Sequence, residues 1–114
     1  MKIARTIFFL ALGMFAAVQL VAAPNDSQIE RGHRVYQKWC FPCHGPGKDK
    51  PGTLALAARG QKPAVLEERT DLTAPLIKTP VRHGVFYMPI FRKTEISDAD
   101  LDAIVAYLTR NNKH

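Results

Sequence analysis

Cys40-Phe41-Pro42-Cys43-His44 sets two thiols three residues apart, with an imidazole directly after the second. On one helical turn, positions i, i+3 and i+4 share a face. Two thiols so spaced suit thioether bonds to two neighbouring vinyl groups on one edge of a porphyrin. The next residue, His44, then lies beneath the iron and offers it a ring nitrogen. C-x-x-C-H is the spacing of a c-type haem attachment site, and it predicts haem c, one per chain, covalently held by Cys40 and Cys43. Pro42 suits a short, bent turn. A thioredoxin-like redox pair would need a βαβ context, and no β-branched strand runs flank the motif. A structural zinc site would need two more ligands at zinc spacing, and the other histidines are His33, His83 and the terminal His114.

The second axial ligand follows from counting sulfurs. The methionines are Met1, Met14 and Met88, and the first two fall in a leader segment described below. Met88 is then the thioether left to the mature chain. It stands in Val85-Phe86-Tyr87-Met88-Pro89, outside any helical stripe, with Pro89 stiffening the chain after it. Met/His ligation is an electron-transfer pairing, so His44 and Met88 are the expected axial iron ligands. His83 is the rival, giving two histidines; at an expected helix end it reads more simply as a capping or surface residue.

Helices must position these groups. Ile29, Gly32, Val35, Tyr36 and Trp39 recur at three and four over 28–38 and predict an amphipathic helix, capped by Asp26 or Ser27. Gly32, Tyr36 and Cys40 share its haem-facing side, and a glycine there invites close approach of another helix. The C-terminal segment is the partner. Ser97-Asp98-Ala99-Asp100 forms a capping box with Ile96 and Leu101 as a hydrophobic staple. Leu101, Ile104, Val105 and Leu108 make a buried stripe, with Tyr107 beside it. Asp98, Asp100 and Asp102 suit the positive helix end, Arg110 and Lys113 the negative one. Between these, 45–50 reads as a loop, 53–59 as a short helix, 61–62 as a break and 63–68 as a turn. A third helix runs from a Thr73 cap toward Arg82, is stopped by Gly84, and is expected to kink or shorten at Pro80. No strand pattern or internal repeat is visible.

The 114 residues allow one domain. Lys2 and Arg5, an apolar run from Thr6 to Val18, and small Ala22 and Ala23 before Asn25 have the layout of a secretory signal peptide. Residues 1–23 are assigned to it, 24–114 to the domain, and export to the periplasm is expected. An uncleaved anchor is the alternative, the apolar run being close to the roughly 18 residues that span a bilayer. The net charge is +6, and without Lys2 and Arg5 it is +4. The cations are spread along the chain with acids between them, with no basic stripe of the kind nucleic acid requires. Two cysteines cannot build a disulfide framework, so a small core needs another filler.

With these residues in view, the mature chain resembles the class I c-type cytochromes over nearly its whole length, through Gly32/Tyr36, Cys40–His44, Met88-Pro89 and the tyrosine-bearing last helix. The resemblance implies an all-α fold of three to five helices wrapped around one covalently bound haem. It also implies a loop carbonyl, assigned to Pro51 with Pro46 as alternative, that accepts a hydrogen bond from His44 and fixes its tautomer. Arg59 is a candidate partner of a haem propionate or a plain surface arginine. Phe41, Tyr87, Ile90 and Phe91 are candidates for the haem pocket.

Glu68-Arg69-Thr70-Asp71-Leu72-Thr73 and the stretch from Phe91 to Asp98 are similar to small cytochrome subunits of vanillyl-alcohol-oxidase-type flavoenzymes, such as p-cresol methylhydroxylase and eugenol hydroxylase. Pro80 departs from that pattern, standing where an aromatic or aliphatic residue is expected. The expected function is outer-sphere electron transfer by a carrier that is not itself an enzyme. Its redox partner is expected to be a dehydrogenase, in the narrower reading a flavoprotein acting on 4-alkylphenols. A free shuttle to a terminal oxidase is the alternative. A peroxidase or gas sensor would need an open iron site.

Overall fold

Ser97 opens the most thoroughly buried helix of the chain. Its Oγ accepts from the Asp100 N–H at 3.1 Å, and Ile96 and Leu101, on either side of the cap, are both buried. The expected staple therefore forms. A computed structural model describes residues 23–113; the leader expected over 1–23 falls, save for its last residue, outside them. Among the described residues there are five α-helices and no strand: α1 (Asp26–Trp39), α2 (Phe41–His44), α3 (Pro51–Ala58), α4 (Ala74–His83) and α5 (Asp98–Thr109), with a single 3₁₀ turn at Leu66–Glu68. The all-α expectation holds. No described helix is long and apolar enough to cross a membrane.

Helices α1 and α5 pack directly on each other. Gly32 makes this possible, since a Cβ built there would lie 1.9 Å from the Ala103 carbonyl oxygen and 2.8 Å from Tyr107 Cβ. Tyr36, Ile96 and Ile104 are the largest fully buried side chains, and Leu72, Ile77, Val81, Leu101, Tyr107 and Leu108 complete the core around them. Ala103 and Ala106 are buried as well, so α5 is enclosed on more than one face. Ion pairs across the outside, Arg31–Asp100 at 2.9 Å, Lys78–Asp102 at 2.5 Å and Arg82–Asp98 at 2.9 Å, tie α1 and α4 to α5.

Two local expectations change. The α1 cap is Asn25, whose Oδ1 accepts from the Gln28 N–H at 2.9 Å; Asp26, expected as a cap, is the first helical residue, where its charge complements the helix dipole. Pro80 does not shorten α4, which runs on to His83. The proline deprives the Leu76 carbonyl of its helical N–H, but Leu76 is an exposed residue, and buried Ile77 and Val81 hold the helix against the core on either side of the lost bond. Thr73 caps α4 and Gly84 ends it, at φ +70°, both as expected. The loop from Gly60 to Leu72 is fastened to the end of α5 from below. Tyr107 Oη donates to Glu67 and Asn112 Nδ2 donates to the Leu72 carbonyl at 2.7 Å; within the loop itself, Arg69 binds both Asp71 carboxylate oxygens and Gln61.

Candidate haem site

Cys40 closes α1 and opens α2. Its N–H donates to the Tyr36 carbonyl at 2.8 Å, while its own carbonyl accepts from His44 N–H at 2.8 Å. The attachment motif is thus one helical turn continuing from α1, with Pro42 in the first turn, where a missing N–H costs nothing. Two bonds fix the turn from outside. Tyr36 Oη donates to the His44 carbonyl at 3.3 Å, and buried Thr53 Oγ1, on α3, donates to the Gly45 carbonyl at 2.8 Å. Thr53 is a positioning residue that no motif revealed, because its partner is brought to it only by the α2–α3 packing.

A cavity of about 450 Å³ opens beside this turn. One stretch of its wall comes from the end of α1 through α3: Trp39, Cys40, Cys43, His44, Pro51, Gly52, Ala55, Leu56 and Arg59. The other comes from the segment after α4: Val85 to Pro89, and Phe91. The residues expected to hold haem, Cys40, Cys43, His44, Met88, Pro51 and Arg59, therefore share one cavity. His83 does not line it and is exposed. Of the expected pocket residues, Tyr87 and Phe91 line the cavity and Phe41 and Ile90 do not. Phe41 packs under Gly45, with Lys50 Nζ 5.1 Å from its ring centre, and Ile90 points largely to solvent.

The Met88 segment is anchored at both ends. Gly84 N–H donates to the Pro80 carbonyl at 2.7 Å, and Phe91 N–H to the Val81 carbonyl at 2.9 Å. The Phe91 carbonyl accepts from Arg82 Nη1 at 3.0 Å, and the Phe91 ring meets Trp39 edge-on at 5.8 Å. Between these anchors Val85–Met88 forms a tight turn in which Met88 N–H donates to the Val85 carbonyl at 2.9 Å.

His44 is buried enough for desolvation to lower its pKa, which favours the neutral ring, the form that binds a metal. Its Nδ1 is buried without a hydrogen-bond partner. The expected bond to a loop carbonyl is therefore not formed: Pro51 borders the same cavity, Pro46 lies exposed outside it, and neither accepts from the ring. What contacts the ring instead is Gly52, where a Cβ would come within 2.7 Å of His44 Cε1 and 2.8 Å of Nδ1. Burial, with the neighbouring Cys43, pushes the Cys40 thiol up to about 12, and the two cysteines form no disulfide. Arg59 sits at the cavity rim. Its Nη1 donates to the Ala55 carbonyl at 3.1 Å and its guanidinium lies 4.1 Å from the Phe86 ring centre.

These residues fit a covalently attached haem. The cavity is lined mostly by apolar side chains, two thiols stand on one turn at its wall, and a half-buried imidazole with an unused, buried nitrogen and a thioether border the same space. Comparison with curated proteins finds no match, and comparison with solved structures finds none either. Comparison with protein families matches residues 27–108 to the family described as cytochrome c oxidase, cbb3-type, subunit III. The match runs from the start of α1 nearly to the end of α5, and the chain belongs to that family: it is an all-α, class I c-type cytochrome domain that carries covalently bound haem c and serves electron transfer.

Proposed function

We propose that this protein is a periplasmic one-haem electron carrier, not itself an enzyme, in which Cys40 and Cys43 hold the porphyrin and His44 and Met88 hold its iron. The observation that carries this reading is that one cavity gathers all four of these residues while excluding His83. The haem supplies the one-electron chemistry when bound. The chain's own work is to bind, orient and exclude water. Trp39, Leu56 and Phe91 give the cavity apolar walls. A methionine sulfur and a dry surround both favour the reduced state. Export rests on the leader layout of residues 1–23.

The test is spectroscopic. The ferric holoprotein is expected to show the weak absorption band of an iron–sulfur(Met) bond. Met88→Ala should abolish it and His83→Ala should leave it intact. Absence of the band in the unaltered protein would remove Met88 from the iron, and rapid carbon monoxide binding by the resting reduced protein would favour a sensor or peroxidase.

For the donor, the reading is a dehydrogenase, in its narrower form a flavoprotein of the vanillyl-alcohol oxidase type with this chain as its cytochrome subunit. Exposed Phe86 and Tyr87 at the cavity lip support a docked partner. A second reading is a free shuttle delivering electrons to a terminal oxidase; the family description names an oxidase subunit, which supports an oxidase as acceptor and not the free diffusion.

A further inference from the structure

The Val85–Met88 turn is held in an unfavourable backbone shape. Phe86 has φ +51°, a left-handed conformation that a bulky residue rarely adopts. Two-residue turns with a positive first central φ ordinarily place glycine there. Such strain persists only where the surroundings over-determine it. The turn's own bonds are one good hydrogen bond, Met88 N–H to the Val85 carbonyl at 2.9 Å, and one long one, Val85 N–H to the Met88 carbonyl at 3.4 Å. Core packing does not hold Phe86, which is 79% exposed. The anchors at Gly84 and Phe91 secure the ends of the segment, not its tip. What touches the tip from another element is Arg59, its guanidinium 4.1 Å from the Phe86 ring centre. Arg59 is tethered to the last turn of α3 through the Ala55 carbonyl, and no carboxylate among the described residues pairs with it.

We propose that Arg59 and Phe86 are positioning residues for Met88: the cation–π contact latches the strained turn to α3 and so keeps the methionine at the cavity. The inference rests on the reading of Met88 as an iron ligand. It assigns Arg59 a different task from pairing with a propionate, and the two tasks separate cleanly. A propionate partner needs Arg59 and is indifferent to Phe86, whereas a latch needs both, and its two halves do not add.

The experiment uses ferric holoprotein and imidazole as the probe. Imidazole binds iron only when the methionine has left, so its apparent Kd is inversely proportional to the fraction of molecules with the sulfur released. An exposed cation–π contact corresponds to about a two- to fivefold change in that fraction. Arg59→Gln and Phe86→Leu are each expected to lower the apparent imidazole Kd by that factor, and the double variant by no more than either alone. Lys62→Gln, which removes a nearby charge outside the contact, should leave it unchanged. Both latch residues are exposed, and far-ultraviolet circular dichroism checks that the helices are intact. The latch is overturned if Phe86→Leu leaves the Kd unchanged, if the two effects add, or if Lys62→Gln matches Arg59→Gln. Failure of the underlying ligand reading looks different: Met88→Ala would then leave the imidazole Kd unchanged.

Discussion

His44 is confined from several sides at once. Its carbonyl is held by Tyr36, the next residue's carbonyl by Thr53, and its ring lies against the backbone of Gly52. An alanine at position 52 would place its Cβ 2.7 Å from the ring and 2.9 Å from the Cys43 carbonyl oxygen, closer than packed atoms tolerate. Gly52→Ala is therefore expected to cost about 1–3 kcal/mol as an overpacked site and to lower the haem-to-protein ratio of the purified protein. Denaturant midpoints and haem quantitation check both, and an alanine variant with native stability and full haem would show that the ring is not confined there. Cys40, Cys43 and His44 could be named as candidates from residue type and close spacing, and Met88 by counting methionines; the structure brings all four to the border of one cavity. Gly52 and Thr53 could not be so named. Each acts on a residue eight positions away that only folding brings near, and neither belongs to a motif. Arg59 was legible as a cation near the site, but its commitment to Phe86 depends on a turn whose shape no periodicity encodes.

The helices follow rules that act over a few residues, which is why most of them were readable. Ser97 and Thr73 cap as their side chains suggest, and Gly84 stops α4. The misreadings were of balance. Three consecutive capping residues, Asn25, Asp26 and Ser27, compete at the start of α1, and the sequence does not say which wins. Pro80 was expected to kink or shorten α4, and it does not shorten it, because burial of Ile77 and Val81 outweighs one lost backbone bond. The strongest element-scale dependence is Gly32, where α1 meets α5. An alanine there gains up to about 1 kcal/mol in helix propensity. It also drives a methyl group into a backbone carbonyl at 1.9 Å, which neither helix can avoid without moving apart. Gly32→Ala is expected to be destabilising overall by about 1–2 kcal/mol, the overpacking cost exceeding the propensity gain. A lowered midpoint in guanidinium chloride unfolding checks it, and an unchanged or raised midpoint would mean that the two helices do not touch as described.

Across the whole molecule the charges are less evenly spread than their scatter along the chain suggests. Residues 32–66, which include α2 and α3 at the cavity wall, carry six cations (Arg34, Lys38, Lys48, Lys50, Arg59 and Lys62) and one acid, Asp49. Residues 67–113 carry seven of each sign, with Lys78–Asp102 and Arg82–Asp98 paired between α4 and α5 and Lys93 also on Asp98. Of these cations Arg59 borders the cavity, where Phe86 and Tyr87 are exposed at the lip, while Arg34 pairs with Glu30 and Lys50 with Asp49. A partner with an acidic docking face is steered to a protein of net positive charge, and the steering weakens with ionic strength. Immobilised holoprotein is expected to retain its donor from a periplasmic extract at low salt and to release it at roughly 0.5 M salt, where screening is short-ranged. Flavin and haem measured in the eluate decide between readings. Flavin stoichiometric with haem supports the flavoenzyme subunit, and its absence supports a free shuttle.

Two thiols and an imidazole at fixed spacing, a single methionine after residue 23, and caps at the helix starts are short-range facts. The sequence alone determined the helical class, the covalent haem and the residues expected to hold it. The tertiary structure decided what depends on groups distant along the chain: that Met88 and the attachment turn border one cavity without His83, that Gly52 rather than a loop carbonyl meets the His44 ring, and that Arg59 reaches across to Phe86. Local rules act through neighbours within a turn or two, whereas these contacts exist only because α1 and α5 close on each other through Gly32 and bring α3 and the Met88 turn around the same space.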